Sequence, residues 1–181
     1  MTSQIPMHYV CTLSEATDLI NSQKDFWVID CGCRKGKGSC KQSRMDVCLN
    51  FNTHLITKLE DAKKLSREGV EYILAEASSK RLVPRPFRSE DRFQTEGICF
   101  CCSDCCGYFL SAEEACDKGK FVEKTDLKNC TNCGLCENVC HFGSRLIEKA
   151  SLQIDHEKCF GCGLCVDVCP TNCIQMTKRV Q

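Results

Sequence analysis

The order of apolar and polar residues predicts one helix and one strand near the start of the chain. Three apolar residues at helical spacing predict a helix that Ser14 caps and that runs through Ile20. The run FWVI at 26–29 is short and apolar, which is typical of a buried strand. Five basic residues, three glycines and no acid lie between Asp30 and Asp46, so we predict a basic loop there.

A pair of helices is predicted in the middle of the chain. Thr57 and Glu60 have the spacing of a capping box, which opens a helix toward Leu65. Gly69 separates it from a second helix, in which the apolar residues of 70–77 follow helical spacing.

The following segments predict a connection and one more helix. The second helix ends at 82–84, and the polar residues of 85–97 predict an irregular connection. Ser111 and Glu114 form another capping box, which predicts a short helix that Gly119 closes. We therefore predict that the chain before about residue 120 is mostly helical, with one short strand.

An internal repeat follows. The sequences NCTNCGLCENVC (129–140) and KCFGCGLCVDVC (158–169) match at most positions, with an offset of 29 residues. Each copy precedes a short segment, at 145–147 and 174–176, that predicts a strand. The repeat marks the clearest boundary in the chain.

Cysteine changes this picture most, since it accounts for 20 of the 181 residues. Such a proportion is typical of disulfide-rich secreted domains, but the chain opens without the basic and apolar regions of a signal peptide. Most of the cysteines lie in tight groups, which favour metal binding over disulfides. Reduced thiols on this scale require a reducing compartment, so we expect a cytoplasmic location. No apolar stretch approaches the roughly 20 residues that cross a bilayer, so we expect a soluble protein without membrane insertion.

Eight of these cysteines form two C-x2-C-x2-C-x3-C runs, one in each copy of the repeat. Two-residue spacers let three thiolates converge on one [4Fe–4S] cluster, while the fourth cysteine faces the other cluster. Zinc ribbons instead use two C-x2-C pairs, so the doubled order favours iron–sulfur clusters over zinc. The predicted ligands of the first cluster are Cys130, Cys133, Cys136 and Cys169, and those of the second are Cys140, Cys159, Cys162 and Cys165.

This region resembles the two-cluster bacterial ferredoxins over about 60 of the 181 residues. The resemblance implies a pseudo-symmetric α+β fold, clusters close enough to exchange electrons, and one-electron transfer at low potential. Two positions depart from the family pattern. His141 stands where the family usually has proline, and it is either a surface residue or a donor to a cluster sulfur. Cys173 replaces an alanine, which indicates a small buried residue rather than a ligand.

We therefore predict an α+β chain with two domains. A mostly helical, cysteine-rich domain with a short strand occupies 1–119, and a bacterial ferredoxin fold occupies 120–181. Aromatic residues make up only 7 % of the chain, which predicts a small apolar core that bound metal supports.

A further group of four cysteines lies in and beside the basic loop. These thiols would hold one additional iron–sulfur cluster or one zinc ion, and iron–sulfur is favoured because the same chain has two clusters. Basic neighbours support this, since positive charge lowers thiol pKa values and offsets an anionic site. The alternative is a solvated basic loop with reduced thiols. The candidate ligands are Cys31, Cys33, Cys40 and Cys48.

The densest cysteine run follows at 99–106. Adjacent cysteines do not easily point at one tetrahedral ion, so the run suits a large cluster, two neighbouring clusters, or one cluster and a spare thiol. Together with the segment around Cys31, the run resembles cysteine-rich ferredoxin-domain iron–sulfur proteins of anaerobes, which implies one or two extra clusters built from both groups. Cys11 and Cys116 are interpreted as structural or spare. The candidate ligands are Cys99, Cys101, Cys102, Cys105 and Cys106.

The motifs exclude several enzyme classes. The chain has no catalytic-triad order, phosphate loop or dinucleotide fingerprint, so we expect no catalytic residues and no cofactor beyond metal clusters. The favoured function is low-potential one-electron transfer, as a carrier or relay subunit for a partner oxidoreductase in anaerobic metabolism. The alternatives are a catalytic or cluster-delivery site in the first domain, and an iron–sulfur redox-responsive regulator.

Charge describes the expected partner. Lysine and arginine number 24 and equal aspartate and glutamate, so the metal-free chain has no net charge and gives no reason to expect nucleic acid. Each oxidised [4Fe–4S] cluster with four thiolates adds about −2, which makes the loaded protein acidic. We therefore expect a larger oxidoreductase or redox complex with a basic docking surface.

Overall fold

The computed structural model describes residues 5–52, 56, 61–111 and 115–180. The helices are α1 (Leu13–Asn21), α2 (Gly32–Lys37), α3 (Arg67–Ser79), α4 (Gly107–Ser111), α5 (Leu135–Asn138) and α6 (Leu164–Asp167). The strands are β1 (His8–Tyr9), β2 (Phe26–Ile29), β3 (Cys48–Asn50), β4 (Lys63–Leu65), β5 (Val83–Arg88), β6 (Thr95–Cys101), β7 (Cys116–Asp117), β8 (Phe121–Thr125), β9 (Arg145–Glu148), β10 (Ser151–Ile154) and β11 (Ile174–Lys178). Within these residues, no helix has the length and apolar character needed to cross a membrane.

The first helix and strand lie where the sequence predicts them, although the helix begins earlier. Its N-cap is Thr12 rather than Ser14, because Glu15 completes a capping box only with the residue three positions before it. The Thr12 hydroxyl accepts a hydrogen bond from the Glu15 N–H, and the Glu15 carboxylate accepts one from the Thr12 N–H. The predicted basic loop contains the short helix α2, which ends at Gly38 in the left-handed conformation (φ 82°).

The prediction of a mostly helical first domain is wrong, because seven strands between residues 8 and 117 form one sheet. The strand order is β4-β2-β3-β6-β5-β1-β7, and neighbours are antiparallel except for β1 and β7. Most of the predicted irregular connection at 85–97 belongs to the hairpin of β5 and β6, in which Pro84 pairs with Phe100. Proline is uncommon inside sheets, so the two prolines of β5 conceal the strand from sequence reasoning.

The helix predicted at 70–77 is confirmed as part of α3, and Ser66 caps its first turn. Lys63–Leu65 form strand β4, so the prediction of a helix reaching Leu65 is wrong there, and its capping box at 57–60 lies outside the described residues. Ser111 ends helix α4 instead of capping a new helix, while 112–114 again lie outside the described residues.

One side of the seven-stranded sheet carries the main apolar core. Helix α1 contributes Ile20 and helix α3 contributes Ile73, both almost fully buried. The strands contribute Val28, Leu49 and Phe100 to the same core. The apolar face of each helix packs against this side of the sheet. Residues on the other side of β6 pack in a second apolar cluster.

Residues 121–178 form two small sheets, β8 with β11 and β9 with β10, together with α5 and α6. The strands predicted at 145–147 and 174–176 are confirmed as parts of β9 and β11. The mixture of helices and strands agrees with the predicted α+β class. The domain boundary near residue 120 stays a prediction.

Gly97 in β6 occupies a position where a side chain does not fit. A Cβ atom there would lie 2.2 Å from the Leu49 carbonyl oxygen and 2.2 Å from the Phe87 ring. We expect Gly97→Ala to lower the free energy of unfolding by about 1–3 kcal/mol, because the strand pairing of β3 holds that carbonyl in place. Urea unfolding of the anaerobically purified protein measures the change.

Gly36→Ala in α2 is the matched control. No atom lies within 4 Å of a Cβ atom at Gly36, and alanine favours a helix by about 0.5–1 kcal/mol relative to glycine. Its unfolding midpoint should stay equal or rise. A similar loss of stability in both variants would contradict the close approach at Gly97.

Candidate metal centres

Strand β6 divides the dense cysteine run between two sides of the sheet. Successive residues of a strand point in opposite directions, and Cys99 and Cys101 accordingly pack in an apolar cluster apart from the main core. Cys102 and Cys105 pack in the main core, whereas Cys106 returns to the first side. The run therefore supplies two separate sites.

Seven cysteines, Cys99 and Cys101 among them, are connected through hydrogen bonds or charge, and we call them the sheet-face group. Their thiols hydrogen-bond in pairs, Cys31 with Cys48, Cys48 with Cys99, and Cys101 with Cys106. Cys33 interacts electrostatically with thiols of this set. Cys116 is connected to it through a buried arginine that contacts several of these thiols. The group consists of Cys31, Cys33, Cys48, Cys99, Cys101, Cys106 and Cys116.

The buried arginine in this group is Arg85, which is 2 % exposed. Its Nη1 atom lies 3.1 Å from Cys106 Sγ and 3.7 Å from Cys101 Sγ, and its side chain also bonds Cys116. A buried cation requires compensating negative charge, which thiolates at these distances supply. Cys116, predicted to be structural or spare, thus belongs to the surroundings of this charge.

Several thiols of the sheet-face group ionise readily in the metal-free protein. The hydrogen bond with Cys48 lowers the pKa of Cys31 to about 5, against the opposing effect of burial. Bonding to Cys48 also lowers the pKa of Cys99 to about 6, and bonding to Cys101 lowers the pKa of Cys106 to about 6. The same hydrogen bonds raise the pKa of the partner thiols Cys48 and Cys101, so each bonded set shares protons, and binding of a metal, which requires thiolates, displaces them.

The other side of β6 carries a compact set that we call the thiol trio. Its three Sγ atoms all lie within 4.8 Å of one another, and the trio consists of Cys40, Cys102 and Cys105. The sequence groups Cys40 with Cys31, Cys33 and Cys48, whereas the structure places its Sγ atom beside those of Cys102 and Cys105. Helix α2 lies between Cys31 and Cys40 in the chain, and the predicted grouping of ligands stays a prediction.

Two cavities of similar size lie in the region of the internal repeat. The first, of about 20 Å³, is lined by Cys130, Cys133, Cys136, Cys169, Pro170 and Cys173 among others. The second, also of about 20 Å³, is lined by residues that include Cys140, Phe142, Cys159, Phe160, Cys162 and Cys165. The structure thus brings together the two sets of four that the spacing predicts, with the fourth cysteine of each run at the other cavity. Their role as ligands stays a prediction.

Left-handed backbone conformations shape both cavities. Gly134 and Gly163 precede α5 and α6 at φ 76° and 82°, and two positions earlier Asn132 and Gly161 adopt φ 53° and 80°. A Cβ atom at Gly161 would lie 2.1 Å from the Phe121 carbonyl oxygen, so only glycine fits there. The paired turns fold each C-x2-C segment around its cavity.

A buried ion pair lies between the two cavities. The side chains of Arg145 and Glu123 are each 1 % exposed, and their Nη1 and Oε2 atoms are 2.7 Å apart. Arg145 Nη1 also lies 3.9 Å from Cys165 Sγ at the second cavity, and the same side chain bonds Cys136 at the first. Sequence reasoning missed this arginine, because nothing in its local sequence distinguishes it from a surface residue.

The region of these cavities is where the chain matches a known family. Residues 124–176 match the family model of the 4Fe-4S dicluster domain. We call this segment the dicluster domain, and the match supports a ferredoxin-type iron–sulfur domain that transfers electrons. No curated protein matches the chain.

The donors of the dicluster domain fit the clusters of that family. The second cavity presents four thiols, the number of thiolates that a [4Fe–4S] cluster requires, and the first presents the four predicted ligands together with Cys173. A [4Fe–4S] cluster with four thiolates is anionic, and Arg145 places positive charge beside both cavities. The number of thiols and the positive charge beside them are therefore both compatible with [4Fe–4S] clusters.

The two departures from the ferredoxin pattern have different surroundings. His141 is half buried, with its Nε2 atom 3.3 Å from the Arg81 carbonyl oxygen and its ring 5.6 Å from that of Phe109. It packs against the chain before the dicluster domain instead of standing free at the surface. Cys173 is 7 % exposed, and its Sγ lies 3.5 Å from that of Cys169, so the predicted burial is confirmed.

Proposed function

We propose that the chain transfers single electrons through two [4Fe–4S] clusters in the dicluster domain and one additional cluster at the sheet-face group. The pair of cavities carries this proposal, since each is lined by three cysteines of one run and one cysteine of the other, with Cys173 in addition at the first. When bound, such clusters supply reversible one-electron oxidation and reduction at low potential. The chain would act as a carrier or relay subunit for a partner oxidoreductase of anaerobic metabolism.

The side chains around the cavities tune such a carrier in two opposing ways. Ile147 and Val168 at the first cavity, and Phe142 and Phe160 at the second, place apolar side chains beside the thiols. Apolar surroundings disfavour the more negative, reduced state, whereas the hydrogen bonds of Arg145 to thiols at both cavities favour it, although Glu123 offsets the charge of Arg145. The balance of the two effects sets the potentials.

The sheet-face group supports the additional cluster. It offers seven thiols where a [4Fe–4S] cluster requires four, and they come from both cysteine runs of the first part of the chain. Arg85 is buried among these thiols as Arg145 is buried among those of the dicluster domain. The same pairing of a buried guanidinium with several cysteines thus recurs at both places.

Close packing connects the sheet-face group with the second cavity. Cys106 and Cys162 belong to one apolar cluster. The Tyr108 ring lies 5.9 Å from that of Phe160, which stacks on Phe142 at 4.5 Å and an angle of 12°. Electron transfer favours short, well-packed routes, so we propose the order sheet-face group, second cavity, first cavity.

The partner follows from charge. The metal-free chain has no net charge, and three clusters at about −2 each make the loaded protein strongly acidic. We propose a partner with a basic docking surface, whose association with this protein weakens as ionic strength rises.

Iron and sulfide analysis of the anaerobically purified protein tests the additional cluster. We expect about twelve irons per chain, four for each of three clusters. Electron paramagnetic resonance during a redox titration then counts the clusters and orders their potentials. A measured content of eight irons or fewer per chain would contradict the additional cluster and would leave the proposal for the dicluster domain standing.

A matched pair of variants locates this cluster. Replacing Cys31, Cys48, Cys99 and Cys106 together by alanine should lower the iron content by about four per chain, because it leaves three of the seven thiols, fewer than a [4Fe–4S] cluster requires. Cys11→Ala should leave the iron content unchanged, since Cys11 is 2 % exposed in the main core and belongs neither to the sheet-face group nor to the thiol trio.

A further inference from the structure

The thiol trio is more compact than any other set of metal donors in the described part of the chain. No other three cysteine, histidine or acidic side chains there have ligand atoms that all lie within 4.8 Å of one another. Among the eight predicted cluster ligands of the dicluster domain, no three Sγ atoms all lie within 4.8 Å of one another, so these thiols are spaced more widely than those of the trio. The thiol trio and the two cavities therefore differ in the distances between their sulfur atoms.

The spacing of the trio matches a single tetrahedral ion. Zinc–thiolate bonds of about 2.3 Å at tetrahedral angles place two ligand sulfurs about 3.8 Å apart. The Sγ atoms of Cys40 and Cys102 are 3.6 Å apart. A [4Fe–4S] cluster inserts its own iron and sulfide atoms between the ligand thiolates, so its ligands must surround a cavity, as those of the dicluster domain do.

A second buried arginine gives an independent observation. Arg34 in α2 is 1 % exposed and donates hydrogen bonds to the carbonyl oxygens of Arg44 (2.8 Å) and Phe100 (3.0 Å) and to Cys102. Among the residues that the structure describes, no carboxylate forms an ion pair with it. Three thiolates and a divalent ion carry one net negative charge, which the Arg34 guanidinium balances.

Hydrogen bonds already hold the two segments of the trio together. Lys37 Nζ lies 2.7 Å from Asp104 Oδ1, and the Lys41 N–H donates to Asp104 Oδ2 at 3.0 Å. The Cys105 thiol donates to the same carboxylate at 3.2 Å. The segment after α2 is thus fixed against the segment after β6, which positions Cys40 beside its two partners before an ion binds.

We propose that Cys40, Cys102 and Cys105 bind one Zn²⁺ ion, with solvent in the fourth position. The ion displaces the remaining thiol protons, which pass to solvent. The site clamps the end of β6 to the segment that follows α2. It goes beyond the proposed electron transfer and does not depend on it, since Zn²⁺ has no redox chemistry in proteins.

Zinc analysis of the anaerobically purified chain tests this site, with Zn²⁺ itself as the probe. We expect one equivalent of Zn²⁺ to be retained against a weak chelator, and X-ray absorption at the zinc edge to show sulfur neighbours at about 2.3 Å. Cys40→Ala and Cys105→Ala should each release the zinc and leave the iron content unchanged. Cys11→Ala, at a buried cysteine outside the trio, should retain it.

Two results would overturn the proposal. One is a protein that takes up no Zn²⁺ under these conditions, and the other is the loss of about four irons in the trio variants, which would assign these thiols to a cluster. The absorption spectrum is measured on the unchanged protein, so it decides the matter even where a variant fails to fold. Zinc and iron are counted separately, so a failure here leaves the proposed electron transfer standing.

Discussion

Cys140→Ala is expected to remove about four irons per chain and to abolish one [4Fe–4S] signal of the reduced protein. By sequence, Cys140 belongs to the first run, yet it lines the second cavity together with Cys159, Cys162 and Cys165. Its loss should therefore abolish the same signal as Cys162→Ala and a different signal from Cys133→Ala. Electron paramagnetic resonance of the three reduced variants, combined with iron analysis, measures this.

Cys173→Ala is the control for these variants. Cys173 also lines a cavity and is buried, but the sequence predicts that it is no ligand. Both signals and the full iron content should be retained. The crossed assignment would be wrong if Cys140→Ala and Cys133→Ala abolished the same signal.

A second large effect is expected from Glu123→Gln. The side chains of Glu123 and Arg145 are each 1 % exposed, so removing one charge leaves the other buried without its partner. Breaking a buried ion pair in this way costs about 3–5 kcal/mol. We expect the free energy of unfolding to fall by about that amount, as measured by anaerobic guanidinium unfolding.

The loss should depend on pH in a defined direction. Burial alone would raise the pKa of Glu123, but hydrogen bonds from Thr125 and Arg145 and the charge of Arg145 lower it. The stabilisation by the carboxylate is therefore complete above the unfolded pKa of about 4.3 and is lost as the pH falls through the lower folded pKa. The difference between the natural protein and Glu123→Gln should shrink over that window.

Glu157→Gln provides the exposed counterpart. The Glu157 side chain is 96 % exposed in its ion pair with Lys118, so the unfolding midpoint should not change. An equal loss of stability in the Glu123 and Glu157 variants would show that burial of the ion pair is not the cause.

Local spacing predicted which cysteines of the dicluster domain line a common cavity, and the reason is geometric. Two-residue spacers with left-handed turns at Gly134 and Gly163 place neighbouring thiols on one side by themselves. The position of Cys40 has no such local origin. It depends on the length of α2 and on the packing of that helix against the end of β6, which bring together residues more than sixty positions apart.

The errors in the predicted fold have similar physical causes. The apolar spacing of α3 is a local pattern and was predicted, whereas Pro84 and Pro86 obscured the alternation of β5. The buried arginines were missed because arginine is ordinarily exposed. Arg34, Arg85 and Arg145 are buried only because cysteines distant in sequence surround them.

The alternation along β6 also bears on how the correct metal reaches each site during assembly. A slip of one residue in register turns every side chain of a strand to its opposite face. With the two sites proposed above, a slipped β6 would turn Cys102 toward the iron–sulfur site and Cys99 toward the zinc site. The pairing of Asn50 with Gly97, and the tight approach at that glycine, hold the register. We therefore expect metal selectivity at these proposed sites to require that β6 pairs correctly before either metal is inserted.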